Sequence, residues 1–292
     1  MSEGDGPVED GVAIVCGGGG FPLAVANAVE RGGRRVVLFP LRGWADPSLI
    51  ERFPHHWLSL GQLAGCLRRA RREGCRDIVF IGNLVRPSIR QLRFDLTTLR
   101  LLPRIVRLFR GGDNHLLSGV AQIVEEFGLR LVGAHEVAPE ILVPEGTLGR
   151  YEPSARDRED IVRGLSLIAA IGPFDLGQAA IVAHNRVLAI EAAEGTDQML
   201  MRVTAMRAER RVSLPAKIGV LVKAPKPQQD RRFDLPSIGT RTVELAAEAG
   251  LAGIAVEAAG AITIDLQQLV QAADSHGLFV VGFPGAATVE RP

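Results

Sequence analysis

The sequence predicts an α/β protein with a parallel-sheet domain followed by a second, mixed α/β domain. In the first half, short continuous apolar runs alternate with helical patterns. A proline-rich stretch without a sustained period separates the halves, and the second half opens on two strand-like runs around a two-residue turn. The 292 residues, 47% of them hydrophobic, are enough to build two cores.

The first half begins as a strand, a tight loop and a helix. Residues 12–16 form an apolar run that stops at four glycines, and residues 23–29 have the pattern of an apolar-faced helix. The further elements that we expect are a strand over 35–39, a helix over 61–72, a strand over 77–82, helices over 97–110 and 114–127, and a strand over 129–133. This alternation favours a Rossmann-like parallel sheet, and we expect the domain to end at residue 134.

Residues 135–153 contain three prolines and are predicted to connect the domains. The second domain, residues 154–292, is predicted to be mixed because it opens on a hairpin. Its expected elements are a helix over 157–170, hairpin strands over 178–183 and 186–192, a helix capped by Thr196 or Asp197, a strand over 217–222, a helix over 240–249, and strands over 252–256 and 279–283.

Composition narrows the function classes. The three cysteines form no Cys-x-x-Cys pair, which argues against a disulfide framework or zinc knuckle and favours reduced thiols. The acidic, glycine-rich start is unlike an export signal, and no apolar run reaches the roughly 18 residues of a membrane span. We therefore expect a cytoplasmic location. Aromatic residues make up only 5% of the chain and interleave with no basic patch, which disfavours nucleic acid as a partner.

The glycine loop at 17–20 would place backbone N–H groups and a helix N-terminus where a phosphate is stabilised. Pro22 stands where a dinucleotide fingerprint has its third glycine, and the second strand ends without a ribose-binding acid. NAD is therefore disfavoured, and the absence of Lys-Ser or Lys-Thr excludes a Walker loop. The alternative is a tight turn that only allows close packing. Asn83, after the third strand, is expected at the same sheet edge.

Seven arginines lie between residues 86 and 110, against the single acid Asp95. On the helix predicted over 97–110, Arg100, Arg104 and Arg107 recur at spacings of four and three. They form a basic amphipathic pattern, which is typical of a contact with an anionic membrane surface. The alternative is an ordinary solvated face above a core stripe.

Carboxylates and lysines cluster in two segments of the second half. They are Glu191, Glu194 and Asp197 in one, and Lys223, Lys226, Asp230 and Asp234 in the other. Hard oxygen ligands beside lysines suit Mg²⁺-assisted chemistry on a phosphate ester or anhydride, since metal and ammonium neutralise oxygen charge while a carboxylate orients water. The alternative is that these acids cap loops or are solvated.

Eight segments together resemble the UDP-2,3-diacylglucosamine pyrophosphatase family of the LpxI type, which acts in lipid A synthesis in Gram-negative bacteria. They are GGGGFP (17–22), LRGWADPSL (41–49), GNLVRP (82–87), GAHEV (133–137), GQAAIV (177–182), AIEAAEGTDQML (189–200), LVKAPKPQQDRRFDLPSIGTRT (221–242) and AGLAGIAVEA (249–258). The resemblance covers nearly the whole chain after residue 11.

The resemblance implies Mg²⁺-dependent hydrolysis of the substrate pyrophosphate to UMP and 2,3-diacylglucosamine 1-phosphate, with the lipid substrate held between two domains. The essential aspartate of the family corresponds to Asp234, which either holds Mg²⁺ or orients water. The implied catalytic residues are Asp234, Lys223 and Lys226; the implied substrate contacts are Gly18, Gly19, Gly20, Asn83, Thr196 and Gln229; the implied metal ligands are Asp234, Asp197 and Glu194. Transient contact with the inner membrane and a homodimer are also expected. The alternatives are a nucleotide-sugar oxidoreductase and a non-catalytic lipid or nucleotide carrier.

Overall fold

The structure is a computed structural model that describes residues 10–83, 113–174, 176–227, 230–233 and 235–284. The chain divides into two compact units. The described residues of unit 1 fall within Met1–Glu140 and Asp230–Asp234, and those of unit 2 within Ile141–Gln229 and Leu235–Pro292. The arginine-rich helix predicted over 97–110 lies outside the described residues.

Unit 1 contains a four-stranded parallel sheet in the order β2-β1-β3-β4. Its strands are β1 (Gly11–Cys16), β2 (Val36–Pro40), β3 (Cys75–Ile81) and β4 (Arg130–Leu131), and its helices are α1 (Phe21–Arg31), α2 (Pro47–Ile50), α3 (Leu63–Arg72), α4 (Asp113–Glu126) and α5 (Ala134–Val137). Every residue of β1 and β2 is buried, as in a parallel sheet with both faces covered. The Rossmann-like sheet predicted for the first half is confirmed.

A buried carboxylate joins the edge strand of this sheet to its neighbour. Asp77 of β3 is 1% exposed and lies opposite Arg130 of β4. Arg130 Nε donates to Asp77 Oδ1 over 2.8 Å, and Arg34 Nη2 donates to Oδ2 over 2.6 Å. Burial acts to raise the pKa of Asp77, but the hydrogen bonds from Arg130 and Arg34 outweigh it and the pKa is lowered. The charged side chain therefore holds the short strand β4 in place.

Unit 2 contains a six-stranded mixed sheet in the order β5-β12-β10-β8-β6-β7, with a separate two-stranded sheet of β9 and β11. The strands are β5 (Gly146–Thr147), β6 (Ala179–Ala183), β7 (Arg186–Ile190), β8 (Val220–Lys223), β9 (Ser237–Ile238), β10 (Gly253–Glu257), β11 (Ile262–Thr263) and β12 (Phe279–Phe283). The helices are α6 (Ala155–Ile171), α7 (Gly195–Ala208), α8 (Thr240–Glu248) and α9 (Leu266–His276). Strands β8, β10 and β12 run parallel, whereas β6 is antiparallel to β8. The predicted mixed α/β class is confirmed.

Strand alternation sorts the core of unit 2 into two layers. Leu221 of β8 belongs to the cluster that also holds the buried faces of α7, α8 and α9, whereas Val220 and Val222 belong to the cluster formed with α6. Successive side chains of a strand point to opposite faces, so one short strand supplies both layers. Among the helices in the described ranges, none combines the length and apolar character that crossing a membrane requires.

The predicted hairpin is present as β6 and β7, and α6 fixes its turn. His184 and Asn185 have φ of 52° and 60°, which is typical of a two-residue type I′ turn. Asp160 of α6 is 1% exposed, and its carboxylate accepts hydrogen bonds from His184 N (3.0 Å) and Asn185 N (2.5 Å). The carboxylate thus satisfies both amide groups of the turn.

The predicted N-caps of α7 are wrong. The N-cap position is Glu194, without a side-chain capping bond, and Thr196 and Asp197 lie in the first turn of the helix. The Thr196 hydroxyl donates instead to the Glu191 carboxylate, so it does not cap α7.

Candidate functional site

The glycine loop of unit 1 is built on a close approach between two backbones. Gly18 and Asn83 exchange two backbone hydrogen bonds of 2.9 Å. A Cβ at Gly17 would lie 2.8 Å from Gly82 C, and a Cβ at Gly82, whose φ is +110°, would lie 2.8 Å from Gly17 C. The turns after β1 and β3 therefore touch only because both carry glycine. As the sequence predicted, Asn83 lies beside the loop.

The last two glycines of the loop lead into α1. Gly19 has φ of +88°, and the nearest group to its missing Cβ is the Asn83 amide nitrogen at 3.8 Å. Gly20 occupies the N-cap of α1 without a side-chain capping bond, and Pro22 stands in the first turn. The backbone N–H groups at this helix N-terminus can bind an anionic group, which is the role expected of Gly18, Gly19 and Gly20.

A cavity of about 370 Å³, which we call the unit 1 cavity, lies beside the glycine loop. Its lining is mostly apolar and consists of Val15, Gly17, Leu41, Leu58, Ser59, Leu60, Gly61, Gln62, Leu63, Cys66, Phe80, Ile81, Gly82, Val120 and Phe233. Burial raises the pKa of the Cys66 thiol, so this side chain is neutral at pH 7. Sequence reasoning had no means of locating the cavity, since its walls come from separate segments of unit 1.

The segment at 230–233 belongs to unit 1 and forms a tight turn. Phe233 N donates to Asp230 O over 3.1 Å, and the Phe233 ring lies 6.2 Å from that of Phe80. The Asp230 carboxylate pairs with Arg232 at 2.7 Å, and this hydrogen bond holds the pKa of Asp230 below its usual range. Two predicted site residues next to this segment, Asp234 and Gln229, lie outside the described residues.

In unit 2, a buried lysine lies at the end of β8. Lys223 is 6% exposed, and its Nζ donates to Thr196 Oγ1 over 2.9 Å and to Ser237 O over 2.8 Å. Thr196 Oγ1 donates in turn to Glu191 Oε1 over 2.8 Å, and Glu191 Oε2 accepts from Gln178 N over 2.8 Å. The structure thus brings the predicted residues Lys223, Thr196 and Glu191 together in one hydrogen-bonded chain. We call this set the lysine network.

The other predicted residues of unit 2 lie near this network in sequence. Lys226 is half-buried in the loop that follows β8. Glu194 Oε1 pairs with Arg202 at 2.9 Å, and Glu194 Oε2 accepts from Ala192 N over 3.2 Å. Asp197 is exposed in the first turn of α7. Its carboxylate is a hard oxygen donor of the kind that Mg²⁺ binds, whereas Glu194 is already engaged by Arg202. Within the described parts of the chain, no three His, Cys, Asp or Glu side chains form a group that could hold a metal ion.

Comparisons with known proteins match nearly the whole chain. The family model described as the LpxI N-terminal domain matches residues 11–141, and the model described as the LpxI C-terminal domain matches residues 144–281. A protein of Caulobacter vibrioides named UDP-2,3-diacylglucosamine pyrophosphatase LpxI is 41% identical over 271 residues, which are 93% of this chain and 96% of that protein.

Proposed function

The chain belongs to the LpxI family, and from this premise we propose that it hydrolyses the pyrophosphate bond of UDP-2,3-diacylglucosamine to UMP and 2,3-diacylglucosamine 1-phosphate. The observation that carries the proposal is the 41% identity to a protein of that activity, over almost the full length of both chains. Both units are represented in the match, so the proposal concerns the whole chain.

In this proposal Lys223 is a fixed positive charge and not a mobile ligand of the phosphate groups. Its ammonium group is buried and already donates to Thr196 and to the Ser237 carbonyl. A buried charge held this way supplies a fixed positive potential and keeps the Thr196 hydroxyl in position. Lys226 is more exposed, so we assign to it the direct contact with the diphosphate.

Asp234 is the proposed essential acid, as the family motif DLPxIG implies. We propose Asp234, Asp197 and Glu194 as the residues that would hold Mg²⁺, with Glu194 released from Arg202. Bound there, Mg²⁺ would neutralise charge on the diphosphate oxygens. Asp234 itself either joins that ligand set or orients the attacking water, and Gln229, Asn83 and the glycine loop are proposed to position the substrate.

The experiment for this proposal is a product assay with the purified full chain. Supplied with Mg²⁺ and UDP-2,3-diacylglucosamine, the protein is expected to release UMP and the lipid monophosphate in equal amounts, and excess chelator is expected to stop the release. Substrate loss without UMP would contradict hydrolysis and favour a carrier. Release that persists in chelator would contradict the role of Mg²⁺.

Contact with a membrane surface follows from the same proposal, since a substrate with two acyl chains resides in a bilayer. This contact and the homodimer both stay predictions. Sedimentation of the protein with anionic vesicles is expected for the first, and a doubled mass in solution for the second.

A further inference from the structure

We propose that His135 is a substrate-binding residue of unit 1, whose ring Nε2–H donates a hydrogen bond to an oxygen of the substrate diphosphate. This role rests on the proposed function, because that substrate supplies the diphosphate. Three features of the molecule carry it: the place of His135 at the sheet edge, a glycine that makes room for its ring, and the different surroundings of its two ring nitrogens.

His135 follows the carboxyl end of the edge strand β4. Strands β1, β3 and β4 run parallel, so their carboxyl ends lie at one edge of the sheet, where open α/β sheets bind their ligands. The glycine loop follows β1 and Asn83 follows β3 at that same edge. The short helix α5, which carries His135, packs against α1 and against β3. His135 therefore belongs to the edge at which unit 1 is expected to receive its ligand.

Gly133 makes room for the His135 ring beside the turn that contains Arg232. A Cβ at Gly133 would lie 2.7 Å from His135 Nδ1 and 3.1 Å from Arg232 Cα. The backbone of Gly133 has φ of −72° and ψ of 152°, which any residue adopts, so a larger side chain is excluded here by space and not by conformation. Glu136 Oε1 accepts from Gly133 N over 2.7 Å and fixes the start of α5. The ring and the turn thus lie against the same face of Gly133, and the turn directly precedes Asp234 in the sequence.

The two ring nitrogens of His135 have different surroundings. Nδ1 is buried and makes no hydrogen bond to any part of the chain that the structure describes. Nε2 is not buried, and no group within the described ranges binds it either. An unpartnered buried N–H is rarer in folded proteins than an unpartnered acceptor, so we assign the ring proton to Nε2. The half-buried side chain then presents a single N–H donor that has no partner among those residues.

A single N–H donor suits a phosphate oxygen better than the other parts of a UDP-sugar. Phosphate oxygens only accept hydrogen bonds, and their charge strengthens the bond. Sugar hydroxyls and the uracil ring also carry donors, to which Nε2–H offers no acceptor. At the same sheet edge, α1 begins at Gly20 without a side-chain capping bond, and such a helix N-terminus favours an anion. The hydrogen bond from His135 would therefore position the diphosphate at this edge of unit 1.

Binding is tested without hydrolysis by titration calorimetry with the α,β-methylene analogue of UDP, whose P–C–P bridge is not hydrolysed. With Mg²⁺ present, the full chain is expected to bind the analogue, and His135→Ala is expected to bind it roughly 10- to 100-fold more weakly, the effect of losing one hydrogen bond to a charged group. His135→Gln, whose amide nitrogen reaches the position of Nε2, should stay within about threefold of wild type. His135→Asn, whose shorter amide reaches only the position of Nδ1, should bind as weakly as His135→Ala.

His56→Ala is the matched control. His56 is a half-buried histidine of unit 1 whose Nε2 pairs with Glu73 at 2.8 Å, so its removal should leave binding of the analogue unchanged. Thermal unfolding followed by circular dichroism reports whether each variant folds, and His135→Asn takes the place of His135→Ala if the latter does not. A glutamine variant that binds as weakly as the alanine variant would overturn the proposal. So would an alanine variant that binds as tightly as wild type, or a wild type that does not bind the analogue.

Turnover separates the role of His135 from the proposed function. With UDP-2,3-diacylglucosamine, His135→Asn should lower kcat/KM by at least the factor by which it weakens binding of the analogue, and His135→Gln should recover most of that loss. An asparagine variant with the kcat/KM of wild type would overturn the proposal. If the analogue ranks the variants as expected but no protein releases UMP from the substrate, the proposed function fails and the diphosphate contact of His135 stands.

Discussion

The lysine network makes Thr196 a residue whose single hydroxyl connects the buried Lys223 ammonium to the half-buried Glu191 carboxylate. In Thr196→Val the side chain keeps its shape, but Lys223 Nζ loses an acceptor at 2.9 Å and Glu191 Oε1 loses a donor at 2.8 Å. Each charge keeps one contact described above, to Ser237 O and from Gln178 N. The substitution therefore weakens the network without removing either charge.

The cost follows from these contacts. A hydrogen bond to a charged group contributes about 1.5–3 kcal/mol, and Lys223 is only 6% exposed, so water replaces the lost partner poorly. Because the two bonds share one hydroxyl, their effects are not additive, and we expect a loss of about 3 kcal/mol. For a unit of roughly 150 residues this lowers the melting temperature by about 6–12 °C. Displacement of the Lys223 ammonium should lower kcat/KM as well.

Urea unfolding monitored by circular dichroism measures the loss, with Thr196→Ser expected to stay within about 1 kcal/mol of wild type because it retains the hydroxyl. Thr204→Val on the same helix is the matched control. The Thr204 hydroxyl donates to the uncharged backbone oxygen Leu200 O over 3.1 Å, so its removal should cost less than about 1 kcal/mol. A Thr196→Val protein as stable as the Thr204→Val protein would refute the reasoning.

Two further predictions concern unit 1. Asp77→Asn should lower the free energy of unfolding by about 2–4 kcal/mol, as measured by urea titration. This loss is smaller than that for a fully buried ion pair because the Arg130 side chain is exposed. Because the pKa of Asp77 is lowered in the folded state, its contribution is present above the ordinary aspartate pKa of about 3.9 and is lost as the pH falls below that value; the acid-unfolding midpoint should rise in the variant. Gly82→Ala should destabilise by more than about 2 kcal/mol, since its Cβ would meet Gly17 C at 2.8 Å, whereas Gly43→Ala, with φ of +86° and open space, should cost only about 1 kcal/mol. Equal losses in the two alanine variants would show that the backbone contact does not matter.

Local patterns predicted most of the regular structure and left α9 unrecognised. The signals for α9 were present: Asp265 caps its start by accepting from Gln268 N over 2.9 Å, and Gly277 ends it at φ of +66°. Leu269 and Ala273 form its buried face at a helical spacing of four. These signals lie within the helix and its two caps, so α9 is predictable from its own sequence without any tertiary contact.

The sequence predicted only those contacts of the site that join residues close together in the chain or at the ends of neighbouring strands. Asn83 was placed beside the glycine loop because parallel strands bring their carboxyl ends to one edge. The partners of Lys223 were not foreseen, since Thr196 is 27 residues away and Ser237 is 14 residues away in the sequence. The N-cap prediction for α7 was wrong for the same reason. The Thr196 hydroxyl donates to Glu191, and a local pattern does not show that competition.

The most direct measurement compares UMP release by the wild-type chain and by Asp234→Asn at equal Mg²⁺ and saturating UDP-2,3-diacylglucosamine. The wild type is expected to turn over, and the variant, with an unchanged melting temperature and unchanged substrate binding, is expected to be slower by roughly 10²–10⁴-fold, the loss expected when an acid–base group is removed. A variant that releases UMP at the wild-type rate would contradict the account.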